Sequence, residues 1–302
     1  MKPTTGAPMT LTPIRFTASH QKGPHLLILG SVHGSEPCGS IAIDQIIEDI
    51  TQEKLHLQAG TITFLPRANP KAYEAGTRIF EGNLARSIIK KDLADCTYYE
   101  ERLAQDIIPL IEEADYILDL HSCSTQTPPF VFQDSNTDQA ADFCKNLGVD
   151  FVIVGWNDYF AGQDIPASVQ AYGNKIGKIC ATIECGSHHD PASITHAHNI
   201  ILQAGHYLGI FKNNATPKQS TATEYRLIHH FWEDAPGELA QDFQGLYFIP
   251  KGTHILTYHR DGMAPDKHIA EQDCYILMPC KNGYQPDQKN MDIWTYLVAK
   301  NN

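Results

Sequence analysis

The sequence has no run approaching the ~20 consecutive apolar residues that cross a bilayer, so no membrane-spanning helix is expected. Its opening stretch, MKPTTGAPMTLTPIRF, lacks an apolar segment bounded by a small-residue cleavage site. Secretion is therefore not signalled, and the cytoplasm is the expected compartment. No two cysteines form a CxxC pair; the eight lie scattered at positions 38, 96, 123, 144, 180, 185, 274 and 280. That spacing argues against a disulfide framework and for reduced, mostly buried thiols. Positive charge is scarce, with 23 Lys and Arg against 35 Asp and Glu, a formal charge of −12. A chain this acidic lacks the electrostatic footprint of a nucleic-acid binder and the basic face that anionic membranes attract. Neither nucleic acid nor membrane is an expected partner, which leaves small molecules. Internal repeats and low-complexity tracts are also missing.

What is present is alternation. HLLILG (25–30) reads as a buried strand, and 38–50 as a helix with Ile41, Ile43, Ile46, Ile47 and Ile50. Strands follow at TITFLP (61–66), YILDL (116–120), 130–132, 151–154 and ICATIE (179–184), with helices over 98–111 and 192–208. Short strands alternating with helices predict an α/β layer structure, its sheet mixed but mostly parallel and flanked by helices. After residue 211 the texture changes. Residues 212–223 (KNNATPKQSTAT) are polar and aperiodic, a linker. Short strand-like pieces at 225–229, 246–249, 253–257 and 274–278 then predict a smaller all-β domain over 224–302, behind a catalytic domain over 1–211.

Chemistry gathers where strands end. HLLILG runs into Ser31-Val32-His33-Gly34-Ser35-Glu36-Pro37. Gly34 suits a sharp bend there, and Pro37 suits a helix start. His33 and Glu36 then lie one turn apart at the carboxyl edge of a buried strand, where ligands of open α/β sheets collect. Imidazole and carboxylate are zinc donors, and a catalytic zinc takes three protein ligands plus water. His121, at the end of YILDL, is the candidate third donor. Asp119 faces the same side two residues earlier, either orienting that ligand or simply ending a strand. HxxE alone is a weak signal; HxxE after one strand with a His ending another is more specific. Glu184, which ends ICATIE, is either a general base or the residue that opens a loop. Cys123 and Cys185 read as buried thiols rather than nucleophiles. His188 and His189 could border a pocket. Arg78 and Arg86, in a loop after TITFLP, offer forks that match carboxylates. In the tail, Tyr258, His259 and Arg260 are the polar candidates.

GSVHGSEPCG (30–39), ANPKAYEAGTR (68–78), Arg86, DLHS (119–122) and IECG (183–186) fall in an order that resembles the succinylglutamate desuccinylase/aspartoacylase family of zinc-carboxypeptidase-like hydrolases. The resemblance covers roughly the first 210 residues. It implies one Zn²⁺ per subunit on His33, Glu36 and His121, with Glu184 as general base and acid. It implies Arg78 as oxyanion donor and Arg86 as clamp on a carboxylate-bearing small-molecule substrate, and it leaves a homo-oligomer open. The family's usual Asp-Leu-Asn-Arg is here Asn83-Leu84-Ala85-Arg86, so Ala85 replaces the customary amide and Asn83 is the candidate to recover part of its substrate-binding role. The activity so implied is hydrolysis of a linear amide, an N-acyl amino acid, with an ester also within reach of the machinery. A carboxypeptidase or peptide amidase with the same centre is the nearest alternative; a non-catalytic zinc- or ligand-binding member of the fold is the second.

Overall fold

The computed structural model describes residues 11–301 except 20, 136, 161–167, 213–221, 233–234 and 281–292. The chain begins with β1 (Ile14–Thr17), β2 (His25–Gly30), α1 (Cys38–Thr51), β3 (Thr61–Leu65) and α2 (Pro70–Ala75). It continues with α3 (Tyr99–Glu113), β4 (Tyr116–Cys123), β5 (Phe130–Gln133), α4 (Asp138–Lys145), β6 (Phe151–Val154) and α5 (Trp156–Tyr159). Next come α6 (Val169–Lys175), β7 (Ile179–Ser187) and α7 (Ala192–Tyr207).

β2 explains the layering. After His25 every residue of HLLILG is buried, as expected of a parallel strand covered on both faces. Successive side chains alternate: Leu26 and Ile28 join Ile43, Ile46, Ile200 and Ile201 of α1 and α7. Leu27 and Leu29 join Leu103, Ile107, Ile108 and Ile111 of α3 on the other side. Strands β3, β2, β4 and β7 run parallel. β5 is antiparallel to β7 but parallel to β6, which makes the sheet mixed.

Two strands outrun their expected ends. β4 continues through Cys123 and β7 through Ser187, so His121 and Glu184 are not terminal but paired opposite each other in register. His, Ser and Glu read as loop residues in a sequence, yet adjacent parallel strands keep satisfying their backbone groups past the last apolar side chain.

The chain beyond residue 222 is a smaller β-rich region. It holds β8 (Thr223–Trp232), β9 (Gly237–Leu239), β10 (Tyr247–Ile249), β11 (His254–Tyr258), β12 (Asp266–Ile269), β13 (Cys274–Leu277) and β14 (Ile293–Lys300). Strands β8, β14, β13 and β10 extend the main sheet, because β8 pairs parallel with β6; β12, β11 and β9 form a separate small sheet. Residues 213–221 of the expected linker lie outside the described residues. Among the described residues no helix is long and apolar enough to cross a membrane.

Candidate active site

The turn after β2 is built by close backbone approach. Gly34 was expected to supply the bend, but it has no left-handed φ; that conformation belongs to Ser31, at φ 49°. What Gly34 supplies is space. A Cβ there would lie 2.0 Å from the Ala72 carbonyl carbon of α2, and its N–H donates to the Arg78 carbonyl at 3.2 Å. The turn that carries His33 and Glu36 is thereby pressed against the segment that carries Arg78.

His33, Glu36 and His121 converge, all three buried. His33 Nδ1 lies 3.0 Å from Glu36 Oε1, His121 Nδ1 lies 2.9 Å from Glu36 Oε2, and the two Nδ1 atoms are 3.2 Å apart. A tetrahedral ion with bonds near ~2.0 Å would space its donors by about 3.3 Å. The cluster is thus close to the size of such a site, and its two imidazoles and one carboxylate are donors that could hold a metal ion. The outward nitrogens have partners as well. His33 Nε2 lies 3.2 Å from Asn83 Oδ1, and His121 Nε2 lies 3.0 Å from Asp119 Oδ1. Such contacts fix the tautomer that turns Nδ1 toward an ion. Asn83 has a second duty, since Oδ1 also accepts from the Ala85 N–H at 3.0 Å.

Electrostatics follow from burial. Burial would push the Glu36 carboxyl up, but attraction to His33 and hydrogen bonds from both imidazoles outweigh it and hold it well below the usual range. Burial, aided by the Arg78 charge, lowers His33 to about 4. His121 goes the other way: burial alone would lower it, yet the Asp119 and Glu36 carboxylates raise it well above 6.5. Arg78 Nη1 pairs with Glu36 Oε1 at 2.7 Å.

Glu184 stands beside this group in register with His121 and is 5 % exposed. Burial first, and the Glu36 charge second, raise its pKa to about 7. The Cys123 thiol donates to its Oε2 at 3.3 Å. Burial and that carboxylate push the thiol well above its ordinary range, so Cys123 is a donor and not a nucleophile. In metal-free protein the folded state holds the Glu184 proton to about pH 7, whereas an unfolded glutamate releases it near 4.5. Stability attributable to this group therefore falls as pH rises between those values. Urea unfolding of chelated wild type and Glu184→Gln is expected to diverge by up to about 3 kcal/mol between pH 4.5 and 8, with the variant favoured at the higher pH.

The loop that brings in Arg78, Asn83 and Arg86 is held by a residue the sequence did not advertise. Glu100 opens α3 and is fully buried. It accepts N–H donors from Phe80 (2.8 Å), Glu81 (3.1 Å) and Gly82 (2.8 Å), plus the Asn69 amide at 3.2 Å. A carboxylate in a first helical turn reads as a helix-dipole residue; here it is the anchor of the loop. Glu100→Gln sets an amide against these donors and is expected to cost about 1–3 kcal/mol in urea unfolding.

A cavity of about 110 Å³ lies over the cluster, lined among others by His33, Arg78, Arg86, His121 and Glu184. At roughly 10–15 Å³ for each water-sized group, it suits a small molecule. His188 lies outside it, with Nδ1 2.8 Å from the Ser122 hydroxyl. Tyr258, His259 and Arg260 also do not line it; the Tyr258 hydroxyl donates to the Trp232 carbonyl at 2.6 Å. From the β-rich region it is Met278 and Tyr296 that reach the cavity, alongside Phe132, Asp134 and Trp156.

The model of the succinylglutamate desuccinylase/aspartoacylase catalytic domain matches residues 22–203, more than half of the chain. The chain belongs to this family. The family is of hydrolase type, and the matched span contains the whole His33–Glu36–His121 cluster and Glu184. Solved structures agree on the fold. A succinylglutamate desuccinylase/aspartoacylase from Rhodobacter sphaeroides superposes with a TM-score of 0.73 at 17 % identity, covering 93 % of this chain and 87 % of the other. The product-bound ectoine utilization protein EutE (DoeB) from Ruegeria pomeroyi gives 0.69 at 20 %, covering 95 % and 88 %. An aspartoacylase family protein from Mesorhizobium loti gives 0.70 at 20 %, covering 98 % and 92 %. No curated protein matches the sequence.

Proposed function

We propose that this member of the succinylglutamate desuccinylase/aspartoacylase family is a zinc-dependent hydrolase that cleaves the amide bond of a small N-acyl amino acid. The observation that carries this reading is the pairing of His121 with Glu184 across β4 and β7. It sets a buried carboxylate of raised pKa beside a three-donor metal group.

His33, Glu36 and His121 would hold one zinc ion, which when bound supplies a Lewis acid and lowers the pKa of water toward ~7. Glu184, with a pKa near that of its task, takes a proton from the attacking water and returns it to the leaving amine. Arg78 lines the cavity and donates to the oxygen on which charge develops. Arg86, half-buried on the same wall, clamps the substrate carboxylate; its described hydrogen bond is only to the Ala85 carbonyl, at 3.1 Å. Asn83 acts on His33 and braces the backbone that carries Arg86. The products are an acid and a free amine.

The test is metal analysis joined to a hydrolysis screen of N-acyl amino acids against short peptides. Zinc near one per chain with release of free amino acid is expected. Zinc with no cleavage of any amide would favour a binding protein, and faster cleavage of peptides would favour a peptidase.

A further inference from the structure

We infer that Cys123 is a positioning residue for Glu184: its thiol holds one carboxylate oxygen, Oε2, and leaves the other, Oε1, to exchange the reaction's proton in the cavity. This rests on the hydrolase reading above and adds to it the residue that aims the base.

Strand geometry brings the two side chains together. β4 and β7 run parallel with His121 opposite Glu184, but the register breaks directly afterwards, where the next pair is Cys123 with Ser187. Between those pairs β4 has Ser122 alone and β7 has Cys185 and Gly186, one residue more. Gly186 has φ 121°, a conformation that favours glycine. A bulge of this kind is uncommon between parallel strands and re-aims the side chains around it. Alternation puts Cys123 on the same face of β4 as His121, one step diagonally from Glu184. Gly186 brings no side chain to that step. The Cys123 thiol fills it and donates to Glu184 Oε2 at 3.3 Å.

Both residues are buried, yet only one of them reaches the reaction space. Glu184 lines the cavity over the metal group, and Cys123 is not among the described lining residues. The thiol thus meets the carboxylate on the side turned from the cavity. The terminal torsion of a glutamate is broad, and a donor on one oxygen narrows it. A general base works only within hydrogen-bond reach of the proton it takes, so the orientation of the carboxylate bears directly on rate. An S–H is a weak donor; it turns the carboxylate without neutralising it. With Oε2 accepting from sulfur, the proton released by the attacking water binds Oε1. The Oε1–H bond then breaks as the N–H bond of the leaving amine forms, and the carboxylate returns to its starting state.

The experiment joins kinetics to infrared spectroscopy. Cys123→Ala is expected to lower kcat about tenfold while KM stays within about twofold of wild type. Cys123→Val fills the space without a donor and should behave as the alanine variant does. Cys123→Ser restores a donor and should recover most of the loss. Zinc content and circular dichroism establish that each variant is folded and loaded. The S–H stretch falls in an otherwise empty window of a protein's infrared spectrum, and the difference between wild type and Cys123→Ser isolates the Cys123 band. Recorded above neutral pH, that band is expected to move to higher frequency when Glu184→Gln replaces the charged acceptor by a neutral amide. Undiminished kcat in Cys123→Ala and Cys123→Val, or a band that does not respond to Glu184→Gln, overturns the inference and keeps the hydrolase. Recovery by valine but not by serine makes Cys123 a packing group and overturns it as well. Wild type that cleaves no amide removes the hydrolase reading, and the band then decides alone whether the thiol holds Glu184.

Discussion

Glu184→Gln is expected to lower kcat by about 10²–10⁴-fold while zinc content stays at one per chain. The size follows from what the side chain alone can do. Among the described residues that line the cavity the other ionisable groups are His33 and His121 of the proposed metal group, the two arginines, Asp119, Asp134 and Tyr296. Asp119 is engaged with His121, and Asp134 belongs to the wall beyond β5. None of these is the strand partner of His121 as Glu184 is, so among the described residues no other group is placed to inherit the proton transfer. Glutamine keeps the volume and can still accept from the Cys123 thiol, so packing survives. Metal retention separates this outcome from simple damage: the three donors come from β4 and the turn after β2, and Glu184 is not among them. Full turnover in the variant would remove Glu184 from the reaction. A fall in kcat with KM little changed is the pattern of an interaction made only in the transition state.

How much of this was readable in advance differs residue by residue, for physical reasons. His121 and Glu184 directly follow the mostly apolar stretches YILDL and ICATI, His33 and Glu36 lie within six residues of HLLILG, and polarity near the end of a buried strand is visible in one dimension. Their convergence is not visible, because it depends on β2, β4 and β7 being neighbours, which only the sheet order provides. Phe132, Trp156, Met278 and Tyr296 were unreadable as site residues: a ring on a strand looks the same whether it faces a core or a cavity. Glu100 was hidden by its place in a first helical turn, where acidic residues are ordinary. Asn83 carried a substrate-binding expectation from the family pattern, and the structure gives its amide oxygen two partners inside the protein, His33 and the Ala85 N–H. The strand extension through β8 follows from its pairing with β6, which no local pattern announces.

Glu36→Gln is expected to abolish stoichiometric zinc and to destabilise the chelated protein by about 3 kcal/mol. One carboxylate there meets four groups: His33 Nδ1 at 3.0 Å, Arg78 Nη1 at 2.7 Å, His121 Nδ1 at 2.9 Å and the Ser122 N–H at 3.2 Å. An amide turns one of its two oxygens into a donor, so at least one of those contacts becomes donor against donor. The negative charge that offsets His121 and Arg78 also disappears, and removing one partner of a buried charge pair costs ~3–5 kcal/mol. The lower end applies because the Arg78 side chain is 37 % exposed and water recovers part of its interaction. The pH dependence has a definite sign. The folded pKa of Glu36 lies well below 4.5, so its contribution is complete above pH 4.5 and is lost as pH falls toward the folded value. The gap between wild type and variant, measured by urea unfolding with metal removed, should therefore be widest near neutrality and close in acid. Equal stability at pH 7 together with normal zinc content would mean that neither the metal group nor the folded turn depends on this carboxylate. The convergence of His33 and His121 would then need another cause.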